Sequence, residues 1–171
     1  MPKGTHYYYE ISCTGIAGLG VIMGIVIAAG TIDEAIEVEA GIPEFDKGRS
    51  RQRYESRLAT RKHLILIAKD NNRPVAFKVG FEETPTIVYS WLGGVIPGYR
   101  RMGLAQQLLE IQETWAESAG YHQIRVKSMN RFPGMLILLI KNAYQIQRVE
   151  SADKIENNEI HFIKDLSIAG A

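Results

Sequence analysis

The stretch VIPGYRRMGLAQQLL, Val95 to Leu109, constrains the fold more than any other part of the chain. An apolar run closes on Pro97-Gly98, two arginines and a glycine follow, and an amphipathic helix begins almost at once. Leu104, Leu108, Ile111 and Trp115 recur at helical spacing, which predicts a helix from Arg101 to Ala119, stopped by Gly120. A strand that passes this tightly into a helix lays that helix against the sheet it leaves, an α/β arrangement. The junction also has chemistry to offer. A helix start presents backbone N–H groups without partners in the helix, together with the positive end of a dipole, and so suits a phosphate. Gly103 gives the backbone clearance and Ala105 keeps the next turn small. Arg100 and Arg101 carry charges that can fork onto phosphate oxygens. The bland alternative is a plain strand–turn–helix step with two solvated arginines.

The flanking segments fill out the architecture. Thr31-Ile-Asp-Glu34 has the form of a capping box and opens a helix to about Ala40, which Gly41-Ile-Pro43 stops. A second helix covers Arg49 to Thr60, where Tyr54 and Leu58 share one face and the arginines the other. His63–Ala68 is a strand, Asp70–Pro74 a turn and Val75–Phe81 its hairpin partner, with Val75, Phe77 and Val79 on one face. Thr86–Val95 is the next strand. Beyond the long helix come a strand at Gln123–Lys127, a helix at Phe132–Asn142 and two closing strands, Tyr144–Glu150 and Glu159–Leu166. The order argues for one mixed α/β sheet with helices on its faces.

Composition bounds the class. A chain of 171 residues, 46% hydrophobic and 23% charged, is long enough for one well-buried core. A formal charge of +1 gives no electrostatic footprint for nucleic acid, and the basic run Arg49–Arg61 reads as the solvated face of a helix. The single cysteine, Cys13, excludes an intrachain disulfide and a cysteine zinc cluster. It fits a reducing cytoplasm, and no metal is expected. Ile11–Gly30 carries no charge and meets the length criterion for a membrane span. Its five glycines (Gly15, Gly18, Gly20, Gly24 and Gly30) and the strand-like HYYYEIS before it favour a buried strand with a glycine-rich connection. A membrane or signal role fits less well, since only Lys3 precedes the run and Glu10 abuts it. Translation from Met23 is a further alternative. Residues 1–24 are therefore set apart as an apolar extension and residues 25–171 as a single domain.

Arg100-x-x-Gly103-x-Ala105, preceded by Gly94-Val-Ile-Pro97 and followed by Leu108-Leu109, resembles motif A of the GCN5-related N-acetyltransferases. The resemblance extends through Gly120-Tyr121, QIRVK, Asn130, the Phe132–Asn142 helix and the Ala143-Tyr144 step, covering about Ile25 to Leu166. It implies a central, mostly antiparallel sheet with a splayed parallel strand pair and helices on both faces. It further implies acetyl-CoA as cosubstrate. The backbone from Arg101 through Met102, Gly103, Leu104 and Ala105 to Gln106 would hold the pyrophosphate, with Arg100 beside it. Val95 and Gly94 would line the pantetheine track, and Gly93 and Gly94 fit a distorted strand end where side chains would obstruct the thioester. Asn130 matches a family asparagine that contacts pantetheine, and it equally suits a helix N-cap.

The implied reaction is direct acetyl transfer to a primary amine of a small molecule or peptide. A non-catalytic acyl-CoA-sensing module of the same fold is the alternative. Many relatives carry a tyrosine, as acid for the leaving thiolate, four residues before the Gly-Phe that ends the last helix. That position is Leu139 here, so the acid is missing. Ser128 stands near the strand end as a substitute or as a plain polar terminus. Glu82 and Glu83 are candidates for the base, or a solvated hairpin edge. Strand alternation puts Tyr89 and Trp91 on one face, where they line an acceptor cleft together with Phe45 and Tyr54, or else join the core. The acceptor, the role of Ile11–Gly30 and the oligomeric state, a homodimer included, are left open.

Overall fold

The computed structural model describes residues 8–12, 15–22, 24–45 and 50–166. Cys13, Met23 and Arg49 lie outside them. Strands β1 (Tyr8–Ser12), β2 (Gly15–Ile22) and β3 (Ile25–Ala29) form an antiparallel meander, with Gly24 at φ +87° in the last turn. The uncharged run thus becomes strands. No helix among the described residues is long and apolar enough to cross a membrane.

Helix α1 (Ile32–Ala40) starts on the expected capping box. Glu34 N donates to Thr31 Oγ1 at 3.3 Å, and Thr31 N donates to Glu34 Oε2 at 2.8 Å. Helix α2 (Arg51–Leu58) is capped by Ser50, whose hydroxyl accepts from Arg53 N at 3.3 Å. Its buried face consists of Tyr54 and Leu58, as the spacing requires. Strand β4 (His63–Asp70) turns into β5 (Arg73–Thr84) through Asn71 and Asn72, both left-handed at φ 46° and 68°. Two successive positive φ values make the tight hairpin turn whose twist matches the strands, and asparagine tolerates them best after glycine. Both faces of β5 are covered from Val75 to Phe81, where alternation predicts one apolar face.

Strand β6 (Ile87–Val95) leads through a short 3-10 turn (Pro97–Tyr99) to helix α3 (Leu104–Ser118). The helix starts later than its periodicity predicts, because Arg101 and Gly103 sit at φ 66° and 82°, incompatible with a right-handed helix. Strand β7 (Gln123–Met129), helix α4 (Pro133–Lys141) and strands β8 (Gln145–Glu150) and β9 (Glu159–Asp165) complete the chain.

The sheet runs β1-β2-β3-β4-β5-β6-β7-β9-β8. Strands β6 and β7 pair in parallel, from Ile87↔Gln123 to Ser90↔Val126, whereas β7–β9 and β8–β9 are antiparallel. This is the mixed α/β architecture that the sequence implies. Two compact units divide it: Met1–Val79 with Leu92–Gln112, and Gly80–Trp91 with Glu113–Ala171. The first buries Ile25, Ile27, Tyr54, Leu66, Phe77 and Leu104, and the second Phe81, Val88, Ile124, Leu139 and Phe162.

Candidate active site

The first unit contains the loop with the phosphate-binding pattern. Its backbone is unusual twice over, since Arg101 and Gly103 are both left-handed. An L-residue pays roughly 1–2 kcal/mol for that conformation, and such strain persists where surrounding structure enforces it, commonly at ligand clamps. Gly103 bears it without strain, so the glycine of the motif serves the turn as well as clearance. The first bond of α3 is donated by Gln107 N to Gly103 O at 3.1 Å. The Leu104 and Ala105 amides ahead of it therefore have no acceptor within the helix. The first helical turn holds no acidic residue to compete with an anion.

Arg100, expected beside the pyrophosphate, contacts protein groups. Its two terminal nitrogens fork onto the Glu44 carboxylate at 2.7 Å each, and its Nε donates to Val95 O at 3.1 Å. The guanidinium is thus committed to pinning the loop to the end of β6 and to the segment after α1. Glu44 is held below the usual carboxylate range by this fork, and Arg100 is raised in turn. Tyr99 anchors the same turn to the β4–β5 hairpin by donating its hydroxyl to Asp70 Oδ2 at 2.7 Å. Arg101 is exposed on the strained residue.

Gly94 also has a different reason for being glycine. A Cβ there would meet Ile42 Cδ1 at 2.5 Å and Phe45 Cζ at 3.3 Å, so the clearance is already used by packing. Tyr54 is fully buried, with its hydroxyl donating to the buried Glu39 carboxylate at 2.8 Å, and is core instead of cleft wall. Phe45 packs edge-on to Phe77, with ring centroids 6.4 Å apart.

The second unit holds a cavity of about 460 Å³ lined by Glu83, Tyr89, Arg125 and Lys127 on one side and by Gln147, Arg148 and His161 on the other. Cross-strand register explains the convergence. Tyr89, Arg125 and Ile163 form one row, Lys127, His161 and Arg148 the next, and Met129, Glu159 and Glu150 the third. Side chains alternate along strands, so all three rows share one face. Tyr89 reaches this cavity, whereas Trp91 is not among its lining residues. Both rings pack edge-on against Phe81, at 5.5 and 6.0 Å.

The two glutamates separate clearly. Glu82 accepts the Tyr121 hydroxyl at 2.7 Å, and burial followed by this carboxylate pushes Tyr121 well above its ordinary pKa. Glu83 lines the cavity, with Arg125 at 3.4 Å. Ser128 pairs in register with Ile160, on the opposite face from Lys127, and is buried away from the cavity. Leu139 is fully buried, an apolar residue where the motif has an acid. Asn130 does not cap α4: the N-cap is Phe132, and the Asn130 amide donates to Ile155 O at 2.9 Å. Arg125, Lys127, Arg148 and His161 had no signal in the sequence, because only the pairing of β7, β9 and β8 brings them together.

A model of the acetyltransferase (GNAT) family matches residues 33–131. Among solved structures, the ribosomal-protein-S18-alanine N-acetyltransferase of Escherichia coli is similar at 18% identity and a TM-score of 0.73, covering 85% of this chain and 96% of its own. Ard1 from Thermoplasma volcanium is similar at 12% identity and a TM-score of 0.71, covering 84% and 99%. A GNAT family acetyltransferase from Elizabethkingia anophelis with acetyl-CoA bound shares 18% identity at a TM-score of 0.67, covering 85% and 100%. No curated protein sequence matches the chain. With the family model spanning more than half of its residues, and with this strand order and loop, the chain belongs to the GNAT family of acetyltransferases.

Proposed function

We propose that the protein transfers an acetyl group from acetyl-CoA directly to a primary amine of a small molecule or peptide. The observation that carries this reading is the left-handed Arg101–Gly103 turn, which delivers the open amide end of α3 to an anion. The residues present fit the pyrophosphate of CoA: the amides of Leu104 and Ala105, a glycine that tolerates the turn, the exposed Arg101, and a loop fixed by Arg100. Gly94 and Val95 continue the donor track in this reading, with Met102, Gln106 and Asn130 at its margin. Residues 25–171 form the acetyltransferase domain, and residues 1–24 an extension of it.

Bound acetyl-CoA supplies an activated acyl carbon. The amine nitrogen forms the new C–N bond as the C–S bond breaks, the thiolate leaves, and the amine proton passes to a base. Glu83 is the better base of the two glutamates, because its carboxylate opens on the cavity whereas Tyr121 engages Glu82. Tyr89, at the same cavity, is the acceptor-side aromatic, and Trp91 supports it through Phe81. No cysteine nucleophile is required, since the transfer needs no acyl-enzyme. Proton delivery to the thiolate falls to solvent, because Leu139 supplies no acid and Ser128 faces away from the cavity.

The test is thiol release from acetyl-CoA across a panel of small amines and peptide N-termini. The expected result is turnover with at least one acceptor, reduced in Glu83→Gln by about 10²–10⁴-fold at unchanged CoA affinity. Gly103→Val should weaken CoA binding by at least about tenfold, since a β-branched residue resists the left-handed turn. CoA binding without turnover on any acceptor would favour the sensing module, for which the apolar Leu139 is the supporting observation. Unchanged CoA affinity in Gly103→Val would remove the cradle assignment.

A further inference from the structure

We infer that Glu150, Glu159 and His161 form a binding site for a divalent cation of the zinc type, in the second unit at the β8–β9 ladder. The inference stands on the cross-strand geometry; His161 borders the cavity that Glu83 and Tyr89 line, but none of the three ligands has a role in the proposed transfer.

Glu150 and Glu159 are directly opposed in the antiparallel register of β8 and β9. Like charges facing each other across a ladder repel, so this pairing draws positive charge to it. His161, two residues along β9, joins the pair: its Nε2 lies 3.0 Å from Glu159 Oε1 and 3.2 Å from Glu150 Oε1. The histidine is only 6% exposed, and Nε2 itself is buried with no hydrogen-bond partner, because neither carboxylate contact has hydrogen-bond geometry. A buried ring nitrogen close to two carboxylate oxygens and hydrogen-bonded to neither is arranged as a ligand set. One ligand atom from each of the three residues lies within 4.8 Å of the others. Zinc holds imidazole nitrogen and carboxylate oxygen at about 2.0–2.1 Å, and tetrahedral geometry then separates neighbouring ligand atoms by roughly 3.3 Å. The observed 3.0 and 3.2 Å separations need little adjustment to reach that value.

Two cations already touch the carboxylates. Lys127 Nζ lies 2.9 Å from Glu159 Oε1, and an Arg148 terminal nitrogen lies 2.6 Å from Glu150 Oε1. Both are long side chains with open paths to water, Lys127 being 38% and Arg148 58% exposed. Pairs this solvated are weak and easily surrendered to a divalent ion. The donor set also selects the metal class. One imidazole and two carboxylates suit zinc and its neighbours better than magnesium or calcium, which prefer all-oxygen shells. Three protein ligands leave a fourth position for water or another small donor. Sequence spacing does not reveal the site, because a strand reversal separates Glu150 from the Glu159-x-His161 pair.

The experiment uses the full chain, stripped with chelator and dialysed against micromolar zinc in parallel with magnesium. Bound metal is measured by mass spectrometry, and affinity by titration calorimetry. One zinc per chain is expected, with magnesium at background. Glu150→Gln and His161→Asn should each weaken zinc by at least about tenfold. Glu150 is half-exposed, so Glu150→Gln keeps the test valid if His161→Asn fails to fold. Substoichiometric zinc in the wild-type chain, or wild-type affinity in Glu150→Gln, would overturn the assignment.

Discussion

Ala143 occupies the left-handed region at φ 64°, in the step where α4 gives way to β8. The related motif has Gly-Phe there, and this chain has Ala143-Tyr144. Both departures carry a physical cost. The alanine loses roughly 1–2 kcal/mol to its Cβ, against about 0.5–1 kcal/mol of unfolded-state entropy that a glycine would add. Ala143→Gly should therefore stabilise the fold by about 0.5–1 kcal/mol and raise Tm by roughly 1–4 °C in thermal unfolding, with CoA affinity unchanged. A lower Tm would mean that the turn relaxes around alanine. Tyr144 is buried beside Glu113, and burial, followed by the charge and hydrogen bond of that carboxylate, pushes its pKa far above the ordinary value. Raised that far, its hydroxyl is a weaker acid than a thiol and a poor proton donor to a departing thiolate, and Leu139 itself carries no acid.

At the level of elements, the loop between β6 and α3 is held from outside. Arg100 links the β6 end to Glu44, and the bidentate geometry makes the pair specific. If the pair only positions the loop, Arg100→Ala and Glu44→Gln should each weaken CoA several-fold, with the double variant no worse than the weaker-binding single. If Arg100 instead served the phosphates, Glu44→Gln would release it and tighten CoA, which calorimetry distinguishes directly. Because Glu44 is lowered by the Arg100 fork, the pair is complete above the ordinary carboxylate range and is lost as pH falls through the lowered value. The Arg100 Nε–H resonance should shift in that acid window. In Glu44→Gln it should sit near its acid position already at neutral pH. Elements whose signals are local were legible beforehand: the Thr31–Glu34 box, the Tyr54/Leu58 face and the α3 periodicity all lie within one or two helical turns. The start of α3 was not, because hydrophobic spacing is blind to the two left-handed residues that delay it.

For the whole molecule, β1 and β2 extend the sheet beyond β3 through Gly20↔Ile27, Val21↔Val26 and Ile22↔Ile25. The family model begins later, at residue 33. A chain starting at Met23 should fold and bind CoA within about twofold of the full chain, since Ile25 and Ile27 keep their packing. It should aggregate more readily, because β3 becomes an open edge; light scattering and calorimetry read the two effects, and loss of CoA binding in folded protein would make the extension part of the site. The proposed donor loop has its pattern in the residues alone, since a helix start, a glycine and two arginines are contiguous and their chemistry is local. The cavity side does not. Glu83, Tyr89, Arg125, His161 and Arg148 come from five strands, and strand pairing decides their neighbours. The sequence by itself determined most of the elements, their order and the loop with the phosphate-binding pattern, because these follow from contacts a few residues apart. Tertiary structure alone decided that β9 inserts between β7 and β8, that Arg100 binds Glu44, and that Glu150 faces Glu159 beside a buried histidine. Those outcomes depend on long-range register, in which a shift of one residue would send every side chain to the other face.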